Sequence, residues 1–380
     1  MEFSDLMPAI AGMTWKHLVM IGVGLTLIYL AIKKNYEPTL LLPMGFGAIL
    51  ANIPYSAVLT QEDSVIKGAL DVFFDAGIAT EVFPLLIFIA IGAMIDFSPL
   101  FQRPILLLFG AAAQFGIFVT MVLATLFGFS IFEAASIGII GAADGPTSII
   151  VANIMAPELL GPISVAAYSY MALVPIIQPP IIRLLTSKKE RLMRMQSDTN
   201  KKVSKTTLVM FPILITVLAG LIAPSSLPLI GFLMFGNLIR ECGVLNSLSK
   251  SAQNELANLV TLLLGITIAS TMQAEQFVRL DTIFILGLGI FAFVFDTAGG
   301  VLFAKLMNLF LPEDKKVNPM VGACGISAFP MSARVIHGMG RKEDPHNHLL
   351  MPAISTNVGG QIGSVIVGGL ILLLVPLFAG

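Results

Sequence analysis

Twelve apolar segments, at residues 17–33, 37–53, 82–97, 103–128, 133–155, 160–186, 206–224, 226–242, 256–272, 281–310, 318–338 and 349–378, take up most of this 380-residue chain. About 20 apolar residues cross the ~30 Å hydrocarbon core as a helix, because lipid offers backbone N–H and C=O groups no partners and a helix satisfies them internally. Runs of this length and number exclude a water-soluble globule, and they lack the short alternating segments of a membrane barrel. Charged residues make up 12% of the chain, against about 25% in soluble domains. The expected fold class is an all-α polytopic membrane protein. The net charge of -1 says nothing about partners, but no basic cluster resembles a nucleic-acid footprint, so no nucleic-acid partner is expected.

The polar stretch Ser187 to Lys205, with seven Lys and Arg residues, divides the segments into two sets of six. The expected organisation is therefore residues 1–186, a cytoplasmic linker at 187–205, and residues 206–380. Local matches relate the sets. Phe46-Gly47-Ala48-Ile49-Leu50 resembles Phe235-Gly236-Asn237-Leu238-Ile239, Gly141-Ala142-Ala143-Asp144-Gly145 resembles Gly322-Ala323-Cys324-Gly325, and Gly92 pairs with Gly265. Matches in one order at similar offsets are what a duplicated unit leaves. The fifth segment of each set is interrupted, by Asp144-Gly145-Pro146 in 133–155 and by Gly322 to Gly325 with Pro330 in 318–338. Gly and Pro at this density unwind a helix, so each is expected to be a re-entrant hairpin. Five full crossings per set then invert the second repeat relative to the first, giving about ten spans and two opposed hairpins. With both termini outside, all but Lys16, Lys67 and Arg279 of the 22 basic residues fall on the cytoplasmic side, a strong positive-inside bias. Glu2 and Asp5 stand where a signal peptide carries positive charge, so no cleaved leader is expected.

Asp144 is a carboxylate inside a membrane-grade apolar segment and beside a helix breaker. A charge near the bilayer centre costs roughly 2.5–3.5 kcal/mol even on the lenient insertion scale. Freed backbone carbonyls next to a carboxylate are hard oxygen ligands, which points to an ion or proton site at mid-membrane. Opposed hairpins bring their tips together there. The first tip carries Asp144 and Thr147; the second carries Asn318, Gly322 and Ser327, followed by Arg334. Neutral Asn, Ser and Thr oxygens with one Asp suit a partly dehydrated cation such as sodium, although Asn, Ser and Thr also cap broken helix ends.

The stretch Gly141 to Thr147, the run Tyr168-Ser169-Tyr170 leading into Pro175-Ile176-Ile177-Gln178-Pro179-Pro180, and Asn318 to Ser327 together resemble one family. It is the beta subunit of the sodium-pumping biotin-dependent decarboxylases, which act on oxaloacetate, methylmalonyl-CoA, glutaconyl-CoA or malonate. The resemblance runs over nearly the whole chain. It implies a membrane subunit that decarboxylates carboxybiotin and couples this to Na+ export with consumption of a proton. It implies as partners a carboxyltransferase (alpha) subunit, a biotin carrier domain and a small single-span (gamma/delta) membrane subunit. It further implies a homotrimer in a bacterial or archaeal cytoplasmic (inner) membrane. By position, Asp144 would be the central sodium and proton-coupling carboxylate, and Tyr170 the hydroxyl associated with proton delivery. Asn318, Gly322 and Ser327 would line the second half of the site, and Arg334 would contact the carboxylated biotin. The acid consumed is set by the partner carboxyltransferase, although the compact chain leans toward the acyl-CoA decarboxylases. A freestanding sodium-coupled secondary transporter is the alternative that an inverted repeat equally supports. A purely structural anchor predicts no intramembrane acid, so Asp144 counts against it.

Other polar residues are read more plainly. Tyr168, two positions from Tyr170, faces elsewhere on a helix and is given a packing role. Asp296 is a second intramembrane acid, either a cation ligand or a hydrogen-bonded structural group. His337, His346 and His348 flank a loop without metal spacing, and Cys242 and Cys324 read as small buried residues.

Overall fold

The computed structural model describes residues 8–61, 66–195, 203–222 and 224–379. Glu2, Asp5 and linker residues 196–202 lie outside them. Every regular element among the described residues is helical.

Helix α1 (Trp15–Lys34) ends at Asn35, whose φ of 55° turns the chain, and Lys33 and Lys34 in its last turn complement the helix dipole. Helix α2 (Pro38–Ala51) starts on a proline, where a missing N–H costs nothing, and packs back on α1. Helix α3 (Val82–Met94) follows the wider turn Phe74–Ala79. Next come α4 (Leu107–Ala112), α5 (Phe115–Leu126), α6 (Ile131–Gly138), α7 (Gly145–Met155), α8 (Leu160–Ala172) and α9 (Val174–Leu185). After the linker come α10 (Lys205–Ile222), α11 (Leu227–Glu241), α12 (Ala257–Ile268), α13 (Leu280–Asn308), α14 (Met331–Glu343) and α15 (Leu350–Ala379).

Contacts sort these helices into two groups. In the first, each helix packs on the next in the order α1, α2, α12, α3, α11, α10. The pairing is reciprocal: α2 lies on α12, and α11 lies on α3. Small residues permit the close approach. A Cβ on Gly92 would fall 1.9 Å from Leu233 O, and one on Gly236 would fall 2.0 Å from Ile89 O. In the second group, α13 packs on α5, α8 and α9, while α15 packs on α4, α7 and α14. Large side chains such as Leu184, Leu221, Leu280 and Phe378 point outward, as a lipid-facing surface requires. Cys324 is buried and Cys242 half-buried.

Five helices are long and apolar enough to cross a membrane unbroken: Trp15–Lys34, Pro104–Leu126, Asn246–Thr271, Leu280–Asn308 and Leu350–Phe378. The other apolar segments are shorter or bent. Val82–Met94 meets Ala69–Ala79 at 58°, and Val174–Leu185 meets Pro157–Met171 at 67°. Pro175 near the start of α9 accounts for the second bend, because it withholds a backbone donor where the two helices meet.

The described part of the linker is ordered by ion pairs. Arg191 Nε meets Glu343 Oε1 at 2.7 Å, Arg194 meets Asp344 Oδ2 at 2.7 Å, and Lys305 Nζ meets Glu190 Oε1 at 3.2 Å. Asn318 and Asn347 both donate to the carbonyls of Arg191 and Met193. One short segment thus fastens both ends of the stretch 318–347.

Candidate cation site at two joined helix breaks

Helix α6 opens on a capping box, Ser130 with Glu133, and tightens into the turn Ile139–Ala142. Ala143 then takes φ 53°, where a Cβ costs about 1–2 kcal/mol. Asp144 is extended (φ -126°, ψ 97°), and α7 restarts at Gly145 with Pro146 in its first turn. The second break has the same parts in a different arrangement. Asn318 caps the short helix Pro319–Gly322, its Oδ1 accepting from Met320 N at 3.0 Å. A turn at Ala323–Gly325 leads to an extended Ile326, and α14 begins at Met331.

The breaks are joined to each other. Ser327 N donates to Ala142 O at 3.0 Å. Several other carbonyls at the breaks accept from side chains. Asn357 Nδ2 donates to Ile326 O (2.6 Å) and Cys324 O (3.3 Å), Gln178 Nε2 to Ala323 O (2.9 Å), and Ser148 Oγ to Asp144 O (2.9 Å). Non-helical backbone persists at membrane depth only when its polar groups are satisfied in this way.

Asp144 is buried. Its Oδ2 accepts from Thr147 Oγ1 (2.7 Å), Ser364 Oγ (3.1 Å) and Gln361 Nε2 (3.3 Å). The Ser327 hydroxyl in turn donates to Ser364 Oγ, with Gly360 O at 3.0 Å as the alternative acceptor for its single proton. Hydrogen bonds to a charged group contribute about 1.5–3 kcal/mol each, yet neutral donors leave the net charge in place. A cavity of ≈ 150 Å³ runs from Glu37 to Asp144, also lined by Ile87, Ala257, Tyr168 and Ser327. No Lys or Arg is among its lining residues. The carboxylate therefore needs a mobile positive charge, a cation or a proton, to balance it.

The structure brings Asp144, Thr147 and Ser327 together and sets the other expected residues apart. Asn318 bonds to the linker rather than lining the cavity. Gly322 lies against α13, where a Cβ would meet Gly300 O at 2.1 Å. The Tyr170 hydroxyl donates to Leu286 O at 2.5 Å. Arg334 is exposed on α14, close enough to Glu37 to act on it electrostatically.

Asp296 Oδ1 accepts from Gly116 N at 2.5 Å, at the start of α5, while its Oδ2 is buried without a hydrogen-bond partner. His337 and His348 face each other with ring centroids 5.9 Å apart. No cluster of three or more His, Cys, Asp or Glu side chains suited to a metal occurs among the described residues.

Three groups escaped the sequence reading. Asn357, Gln361 and Ser364 form one polar stripe of α15, at helical spacing inside an apolar segment, and that spacing was a usable signal. Glu37, at the start of the segment 37–53, was not singled out, yet it lines the cavity. Tyr168, assigned to packing, lines the cavity with its hydroxyl buried and without a partner, a state that costs about 1–3 kcal/mol if nothing else meets it.

An all-helical membrane protein with a buried, uncompensated carboxylate at paired helix breaks is a protein built to exchange small cations. Residues 16–375 match the family model of the Na+-transporting oxaloacetate decarboxylase beta subunit. The glutaconyl-CoA decarboxylase subunit beta of Acidaminococcus fermentans is 49% identical, the match covering 95% of this chain and 94% of that one. The methylmalonyl-CoA decarboxylase subunit beta of Propionigenium modestum is 46% identical over 95% of each chain. The probable oxaloacetate decarboxylase beta chain of Vibrio cholerae is 45% identical over 94% of this chain and 95% of that one. The chain belongs to this family: it is the membrane beta subunit of a sodium-translocating decarboxylase, not a freestanding transporter.

Proposed function

We propose that this subunit decarboxylates carboxybiotin presented by a partner's biotin carrier domain, and that Asp144 couples the step to Na+ export by alternately holding sodium and a proton. The observation that carries the reading is the Asp144 carboxylate, buried among neutral donors in a cavity lined by no basic side chain. Carboxybiotin is an anion whose breakdown takes up a proton. Arg334, exposed on α14 and close enough to the cavity-lining Glu37 to act on it, would hold its carboxylate. When sodium leaves, the uncompensated buried carboxylate takes a proton instead, which ties ion release to proton uptake. Thr147 and Ser327 serve the site directly. Asn318 and Gly322 support it from the base of the second break. Tyr170 would deliver a proton only after releasing Leu286 O.

The proposed frame is an inverted repeat, residues 1–186 and 206–380, of about ten spans and two opposed hairpins, with both termini outside a bacterial or archaeal inner membrane. Its support is the reciprocal pairing of α2 with α12 and of α11 with α3. The proposed partners are the carboxyltransferase subunit, the biotin carrier and a small single-span subunit, with the chain as a homotrimer. The substrate of the complex is proposed to be an acyl-CoA. The alignment with the V. cholerae oxaloacetate chain runs over 415 residues and that with the A. fermentans chain over 362, for nearly the same share of this chain. The longer alignment therefore holds segments that this chain lacks.

In vesicles containing the whole complex, Asp144→Asn is expected to abolish both decarboxylation and sodium uptake. Continued coupled pumping would remove Asp144 from the mechanism.

A further inference from the structure

We propose that the Tyr168 hydroxyl is a ligand of the transported cation, which binds between it and the Asp144 carboxylate. The inference rests on the reading of Asp144 as the cation site, and adds a second oxygen to it.

Four observations converge on Tyr168. It lines the same cavity as Asp144. Its hydroxyl is buried and has no hydrogen-bond partner, and a buried polar group in that state calls for an ion, a water or a ligand to complete it. Its ring is held in place: a Cβ on Gly145, the residue after Asp144, would fall 2.2 Å from Tyr168 Cε1 and Cζ, so the ring lies directly on that glycine. Finally, all three side-chain donors of Asp144 go to Oδ2, and none among the described residues reaches Oδ1. Side chains thus leave one carboxylate oxygen uncovered, and a cation can share the carboxylate with the Thr147 amide, the backbone donor that also acts on it.

The chemistry suits a hard monovalent ion. A phenol oxygen is a neutral ligand, so it adds coordination without adding charge, and the single carboxylate then balances a single positive charge. A divalent ion would need a second acid, and Glu37 at the other end of the cavity is the only other one in its lining. Tyr170 is a natural control, because its hydroxyl is already taken up by Leu286 O.

The test uses the purified complex. Sodium is titrated against the decarboxylation rate and, without substrate, against thermal unfolding, for wild type, Tyr168→Phe and Tyr170→Phe. For Tyr168→Phe, we expect the sodium concentration for half-maximal activity to rise about tenfold, the loss of one ligand bond. The sodium-dependent rise in melting temperature should move by the same factor, with a near-normal rate at saturating sodium. Tyr170→Phe should leave the sodium-dependent melting curve unmoved. A Tyr168→Phe curve superimposed on wild type overturns the proposal. So does a rate that stays low at saturating sodium with half-activation unchanged, because the hydroxyl then serves the chemistry. Should Tyr168→Phe fail to assemble, 3-fluorotyrosine at position 168 supplies the readout: its fluorine resonance shifts on adding sodium if the hydroxyl is a ligand, and an unmoved resonance overturns the assignment. A wild-type complex indifferent to sodium in both rate and melting would sink the reading of Asp144 itself.

Discussion

Asp144 Oδ2 gathers three donors from two different helices, Thr147 on α7 and Gln361 and Ser364 on α15. Ser364 also links the carboxylate to Ser327 on the second break, so its hydroxyl joins both halves of the site. Ser364→Ala removes a charge-assisted hydrogen bond contributing about 1.5–3 kcal/mol, and sodium affinity is expected to fall roughly 10- to 100-fold. The sodium dependence of decarboxylation measures it; an unchanged half-activation would show that Thr147 and Gln361 suffice. At this scale the sequence was partly legible. Asp144, Thr147 and Ser327 stood out because charge and hydroxyls beside Gly and Pro are conspicuous in an apolar run. The choice between Tyr168 and Tyr170 was not legible, because two residues two apart on a helix differ by about 200° in direction, and only the neighbouring helices decide which one meets the cavity.

Among the elements, the breaks were predictable and their partners were not. Gly145-Pro146 and Gly322 to Gly325 announce unwound backbone, yet which side chains satisfy the freed carbonyls depends on how α9 and α15 pack across them. The linker shows a similar limit. Its basic residues marked it as polar, whereas its ion pairs with Glu343 and Asp344 join residues about 150 positions apart. The His346 amide and the Arg194 guanidinium hold the Asp344 carboxyl below its ordinary 3.8. Burial pushes Glu190 up, but the Ser187 amide and hydroxyl and the Lys305 ammonium outweigh it, leaving it below its ordinary 4.5. Groups lowered on folding contribute stability above the unfolded-state value and lose it as pH falls through the folded-state one. Residues 187–195 should therefore keep their amide protection down to about pH 4.5 and lose it below, while α13 stays protected. Hydrogen exchange corrected for intrinsic rates checks this; linker protection unchanged at about pH 3 would show that the carboxylates do not hold it.

For the whole molecule, hydropathy gave the fold class, because lipid leaves a backbone few options. Hydropathy did not give helix lengths. Helix α2, at 14 residues, spans about 21 Å, well short of the hydrocarbon thickness, although its segment reads as a full crossing. The proposed orientation makes a plain prediction. In a chain with Cys242 replaced by serine, cysteines at Ser130 and Glu158 are expected to react with an impermeant maleimide added outside intact cells. Cysteines at Glu313 and Lys342 should react only after the membrane is opened. Labelling of all four from one side would refute opposed hairpins.

The cavity that ends at Asp144 lies on a seam. Leu40, Ile87, Ala90, Ile91, Met94, Ala257 and Thr261 come from the α1–α2–α12–α3–α11–α10 layer, while Asp144, Tyr168, Ser327 and Gln361 come from the other group of helices. The Ser327 N–H donates to Ala142 O, so the two broken helices are fastened to each other at this seam. If Asp144 is the ion site as proposed, access to it from either side is expected to change by movement of one helix group along the other across this seam, rather than by the opening of a single broken helix.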